Sequence, residues 1–163
     1  MEKPTVLWHY TAHPHLSKIL IDGFLKVSNA EKLLKHKHPS LWFSSNPIWE
    51  PTATKDAGDE YGNRVPMTKE EQYNDFGLAR IGINYFPELI TWAKYRYLSM
   101  LPEMQLDMME KIGREKGGNP KQWYTTFKSV SKDKWICVEI WDCDKWVKYE
   151  NQNLKINKSE RKN

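Results

Sequence analysis

Short β-prone runs stand at both ends of this chain, with helix-period segments between them, and that order restricts the fold most. Thr5–Tyr10 (TVLWHY) and Leu41–Ser45 (LWFSS) are short, apolar and rich in β-branched or aromatic residues, so each predicts a strand. Phe24–Val27 predicts a shorter one, and Leu78–Tyr85 (LARIGINY) alternates as a strand does. Near the C-terminus, Trp123–Val130 and Trp135–Trp141 predict two strands joined as a hairpin, with Trp146–Tyr149 following a second turn. Between these lie helical patterns. Pro14 opens one that Gly23 stops, with Leu16, Ile19 and Leu20 on one face. A short helix from Ser28 or Asn29 to Leu34 is expected next, followed by a loop at 35–39. Thr68-Lys69-Glu70-Glu71 matches a capping box. Residues 87–101 and 102–116 predict two further helices, the second with Met104, Met108, Met109 and Ile112 apolar, ended by Gly117-Gly118-Asn119-Pro120. Residues 50–66 read as one long irregular loop. Strands, then helices, then strands argue an α+β fold rather than βαβ winding.

At 163 residues the chain fits one domain, placed at 1–150. Residues 151–163 carry +3 of the +4 net charge and read as a basic, flexible tail. The near-neutral body argues against a dedicated nucleic-acid-binding protein. Cys137 and Cys143 do not make a disulfide framework. No run approaches the roughly 18 apolar residues a membrane span needs, and no secretory pattern opens the chain, so a cytoplasmic location is expected.

Aromatic content is the second unusual feature, with eight Trp, eight Tyr and five Phe. Such rings serve either a Trp-rich core or a cleft that stacks on a flat ligand. Three constellations could carry chemistry. His9, Tyr10 and Thr11 end the first strand, where a His and a hydroxyl can grip a ribose or an amide. Trp42 and Ser44 face one side of their strand and Phe43 the other, so one face can offer an aromatic platform with a hydroxyl, and Trp49 and Glu50 open the next loop. Gln122 and Glu139 lie in the late β-rich third. The five histidines fall in the first quarter without a metal-site spacing, so no metal is expected. Neither a Walker A loop nor Gly-x-Gly-x-x-Gly is present.

His9-Tyr10-Thr11, the helix before Gly23-Phe24-Leu25, and Leu41-Trp42-Phe43-Ser44-Ser45 together resemble the N-terminal half of ADP-ribosyltransferase-like domains. That superfamily includes diphtheria toxin, the poly(ADP-ribose) polymerases and the tRNA 2′-phosphotransferases. The resemblance covers residues 7–50 and beyond them only element order. It implies two small, mostly antiparallel sheets with flanking helices, and NAD in the cleft between them. It implies that His9 binds ribose, that Thr11 holds the nicotinamide amide, and that Tyr10 and Trp42 sandwich the ring. A late-strand Glu would steady the oxocarbenium-like ribose, but the chain has Gln122 near that place, with Glu139 and Glu50 as substitutes. The expectation is an NAD-binding transferase acting on a protein or nucleic-acid acceptor. The alternative is a non-enzymatic module that binds a nucleotide or a protein.

Overall fold

The computed structural model describes residues 2–27 and 39–150. The helix expected at 28–34, the loop beginning at 35 and the basic tail lie outside the described residues, apart from Pro39. The first strand is β1 (Val6–Thr11), followed by α1 (His13–Asp22) and β2 (Phe24–Leu25). Then come β3 (Leu41–Ser44), β4 (Asp56–Gly58), β5 (Arg64–Pro66), α2 (Lys69–Phe76), β6 (Ala79–Asn84) and β7 (Ile90–Thr91). The last elements are α3 (Trp92–Leu98), α4 (Glu103–Glu115), β8 (Trp123–Thr126), β9 (Val130–Ser131), β10 (Trp135–Trp141) and β11 (Trp146–Lys148). Helices and mostly antiparallel sheet make this an α+β molecule.

Local chemistry explains the ends of these elements. Pro14 sits in the first turn of α1, and Gly23 ends that helix at φ 71° while its N–H donates to the Ile19 carbonyl. At α2 the capping box closes in both directions: Glu71 N–H donates to Thr68 Oγ1 at 3.1 Å, and Thr68 N–H donates to Glu71 Oε2 at 2.8 Å.

Seven strands form one sheet, ordered β11-β10-β6-β1-β3-β8-β7, with two-stranded ribbons β2-β9 and β4-β5 beside it. The expectation of two small sheets is therefore corrected, although the large sheet is nearly divided. Along β1 and β6 six residues pair, whereas β1 and β3 pair only at Trp8 and Ser44. The seam between β1 and β3 is the weak line of the sheet.

Three other expectations change. β8 pairs with β3 and β7, and β10 pairs with β6 and β11, so the expected hairpin of the two late strands is not formed. The β10–β11 hairpin is. Helix does not begin at residue 87: Ile90 of β7 pairs with Thr125 of β8, and Thr91 caps α3 by accepting from Lys94 N–H. A neighbouring strand edge outweighs helical spacing here. The 50–66 loop contains a 3-10 turn at Pro51–Ala53 and the β4–β5 ribbon.

The main core joins Leu7, Phe43, Ile81 and Ile83 of the sheet to Leu16 of α1. A second cluster joins Trp92 and Tyr95 of α3, Leu106 of α4 and Trp123, with Trp42 packed against it. Successive strand residues point to opposite faces, which is why Phe43 enters the first cluster and Trp42 the second. In α4 the apolar residues are not mainly core: Met104 is 80% exposed, and Met108 and Ile112 are also exposed.

Candidate functional site

The seam opens into a cleft of about 470 Å³. β1 and β3 supply its base, the loop from Glu50 to Lys55 one side, and α3, α4 and the start of β8 the other. The single pair Trp8–Ser44 would, if continued, set Tyr10 opposite Trp42. Instead the His9 ring occupies the divergence, with Nδ1 2.9 Å from the Trp42 carbonyl. A carbonyl can only accept, so Nδ1 carries the proton and Nε2 of the neutral ring is left as an acceptor. The Phe43 ring meets His9 edge-on at 5.8 Å.

Glu50 dominates the polar wall. Its side chain is buried, with 5% of the residue exposed, and no cation lies within ion-pair distance among the described residues. Hydrogen bonds hold it. Ser44 Oγ donates to Oε2 at 2.7 Å, while Thr52 Oγ1 at 2.7 Å, Thr52 N–H at 3.2 Å and Trp123 Nε1–H at 3.2 Å donate to Oε1. A buried carboxylate without a counter-ion is costly unless such donors replace water. The sequence builds it locally: Glu50 is the residue before a Pro-initiated 3-10 turn, whose Thr52 N–H it caps.

Aromatic walls face this carboxylate. Trp8, Trp42, Trp92 and Trp123 all line the cleft. Trp42 and Trp92 lie 6.0 Å apart, and Trp92 and Trp123 meet edge to face at 5.5 Å. α4 approaches so closely that a Cβ on Gly113 would lie 2.4 Å from the Trp123 ring. At the rim stand Lys55 and Lys116. Lys116 reaches Asp56 at 3.6 Å, and the Lys55 backbone N–H donates to the buried Gln72 side chain at 2.6 Å. Burial lowers the Lys55 pKa.

The cleft thus gathers His9, Tyr10, Trp42, Phe43, Ser44 and Glu50 from the sequence-predicted set. It does not gather the others. Thr11 is buried opposite Ala79 in the sheet. Trp49 packs on Tyr10 and stacks with Trp146 beside the cleft. Glu139 is tied to Arg80, with Nε donating to Oε2 at 2.6 Å. Gln122 presents its backbone carbonyl to Ser45 N–H. Sequence reasoning missed Thr52, Lys55, Trp92, Gly113 and Lys116. A glycine inside the α4 pattern was the one local sign that another group approaches there. Among the described residues no three His, Cys, Asp or Glu side chains converge as a metal site. No helix among them is long and apolar enough to cross a membrane.

Compared with family models, curated proteins and solved structures, the chain has no significant match in any of the three.

Burial holds the His9 pKa below its ordinary value, against the hydrogen bond to Trp42 and with help from the Lys55 charge. His15 is lowered by burial first, then by Lys55 and Lys18. The folded state therefore takes up these protons at lower pH than the unfolded chain does. Their contribution to stability is complete above the unfolded value, about 6.5, and is lost as pH falls below it. The melting temperature is expected to fall between about pH 7.5 and pH 5, and His9→Gln is expected to flatten that fall. An equal slope in wild type and variant would remove His9 from the account.

Proposed function

We propose that the seam cleft binds NAD and that the protein transfers its ADP-ribose to a protein or nucleic-acid acceptor. The observation that carries this reading is Glu50, a buried carboxylate with no counter-ion among the described residues, which lines an aromatic cleft beside His9. In this chemistry the bond from ribose C1′ to the nicotinamide nitrogen breaks and its electron pair leaves with nicotinamide. The acceptor nucleophile then bonds to C1′ and gives up its proton to solvent or a base. Positive charge grows at C1′ on the way. A fixed carboxylate in a low-dielectric cleft stabilises that charge more than it stabilises bound substrate. Glu50 takes this role ahead of Glu139 and Gln122, neither of which lines the cleft. His9 Nε2 accepts from a ribose hydroxyl, the tryptophans stack on a base, and Lys55 and Lys116 meet the pyrophosphate.

A second reading is nucleotide binding without transfer. The four hydrogen bonds on Glu50 favour it, because they already occupy much of the carboxylate. One pair of measurements separates the two. NAD at about a hundred times its Kd is expected to stabilise the native state by about 2.7 kcal/mol. Release of labelled nicotinamide, or label transfer to protein or RNA, supports transfer. Stabilisation without product supports sequestration, and no stabilisation by any nucleotide defeats both.

A further inference from the structure

The loop that delivers Glu50 is held at three consecutive carbonyls by side chains from the other half of the sheet. Tyr10 Oη–H donates to the Asn46 carbonyl at 2.6 Å, Arg80 Nη1–H donates to the Pro47 carbonyl, and Trp146 Nε1–H donates to the Ile48 carbonyl at 2.9 Å. These donors come from β1, β6 and β11, all across the seam from β3. The loop's own chemistry is modest: Asn46 Oδ1 accepts from Ile48 N–H at 3.0 Å and more weakly from Trp49 N–H. The loop carries Pro47, Ile48 and a buried Trp49 that packs on Tyr10, so three external donors act together with that ring on the path to residue 50.

Arg80 is the centre of the clamp. Its guanidinium lies 3.7 Å from the Trp8 ring centroid and 4.5 Å from that of Trp146. Its Nε is occupied by Glu139, and its side chain is buried. A planar cation against two rings, with Nε on a carboxylate and Nη1 on a carbonyl, has little freedom left. The Tyr10 phenol is pushed up to about 12, chiefly by burial and against the pull of Arg80, so it stays protonated and remains a donor through the neutral range.

We propose that Arg80 is a positioning residue that sets the Glu50 carboxylate across the seam, with Tyr10 and Trp146 as its partners in the clamp. This explains what Glu139 does: it orients Arg80 rather than touching a ligand. The inference rests on the reading of Glu50 given above, but its first readout does not require turnover. Trp123 Nε1–H donates to Glu50 Oε1, so the Trp123 indole resonance reports where the carboxylate sits.

The experiment compares wild type, Arg80→Met and Arg80→Lys by indole ¹H–¹⁵N spectra, calorimetric NAD binding and NAD hydrolysis. Trp123→Phe assigns the resonance. In folded Arg80→Met the Trp123 signal is expected to shift and to lose protection from exchange, with Arg80→Lys intermediate. Turnover is expected to fall by about a hundredfold, as for a misplaced reacting group, while Kd stays within about threefold. A Trp123 signal unchanged in folded Arg80→Met overturns the inference, whatever NAD does. Should Arg80→Met not fold, Arg80→Lys and Tyr10→Phe decide by the same signal: a shift supports the clamp, and no shift in either overturns it. If wild type is inert towards NAD, the functional reading falls, and the indole spectra still decide the clamp.

Discussion

Glu50→Gln is expected to lower NAD turnover by about a hundred- to a thousandfold, the range found when one preorganised group facing transition-state charge is removed. The substitution is nearly isosteric. The amide oxygen can replace Oε1 and keep the donors from Thr52 and Trp123. The amide nitrogen can replace Oε2 and donate to Ser44 Oγ, which already accepts from Asn46 N–H and whose own hydrogen then loses this acceptor. NAD affinity is expected to change by no more than about threefold, because the charge at C1′ that the carboxylate meets grows mainly in the transition state. Thermal stability is expected to change little, since a buried charge with no counter-ion among the described residues is exchanged for a neutral amide while the Ser44 hydroxyl loses an acceptor. Initial rates, calorimetric Kd and a melting curve together test this. A variant that turns over NAD as fast as wild type would remove Glu50 from the chemistry. A melting temperature many degrees lower would make it structural.

Gly77→Ala is expected to destabilise the fold by roughly 2–6 kcal/mol, adding a strained backbone to an overpacked site. Gly77 ends α2 at φ 69° and ψ 161°, a region that side chains with a Cβ essentially do not enter. A Cβ there would also lie 2.5 Å from Nδ1 of His13. That ring cannot move away freely, for it is buried and its Nε2 lies 3.2 Å from the Leu78 carbonyl. Total stabilities of domains this size run about 5–15 kcal/mol, so the variant is expected to sit near the unfolding threshold. Urea denaturation checks it. A midpoint within experimental scatter of wild type would show that the α2–β6 corner relaxes in a way the packed His13 ring does not suggest.

The elements that sequence reasoning located correctly are those whose determinants lie within a few residues. Gly23 must leave the right-handed region to end α1, and Pro14 suits the first turn of a helix whichever way the rest of the chain runs. Thr68 and Glu71 satisfy each other's backbone, and Trp141-to-Trp146 closes as a short hairpin. Ile90 failed because its helical spacing with Leu89 and Ala93 is a local statement, whereas its pairing with Thr125 is a contact over 35 residues of sequence. The hairpin expected between the two late strands failed in the same way, since β8 and β10 each found another partner.

The site divides along the same line. Apolar alternation and the short motifs brought His9, Trp42, Ser44 and Glu50 forward as chemistry-bearing residues, and the fold sets all four around one cleft. By themselves, those patterns determined which residue types stand at the ends of β1 and β3, and in β3 that Trp42 and Ser44 share a face. They could not rank Glu50 against Glu139 and Gln122. That choice depends on the seam: Arg80, brought from β6 against Glu139 and the Pro47 carbonyl, takes one carboxylate out of the cleft and holds the loop that carries the other into it. Strand periodicity is a property of neighbouring residues, whereas a carboxylate's freedom to meet a ligand depends on which cation the folded chain brings beside it.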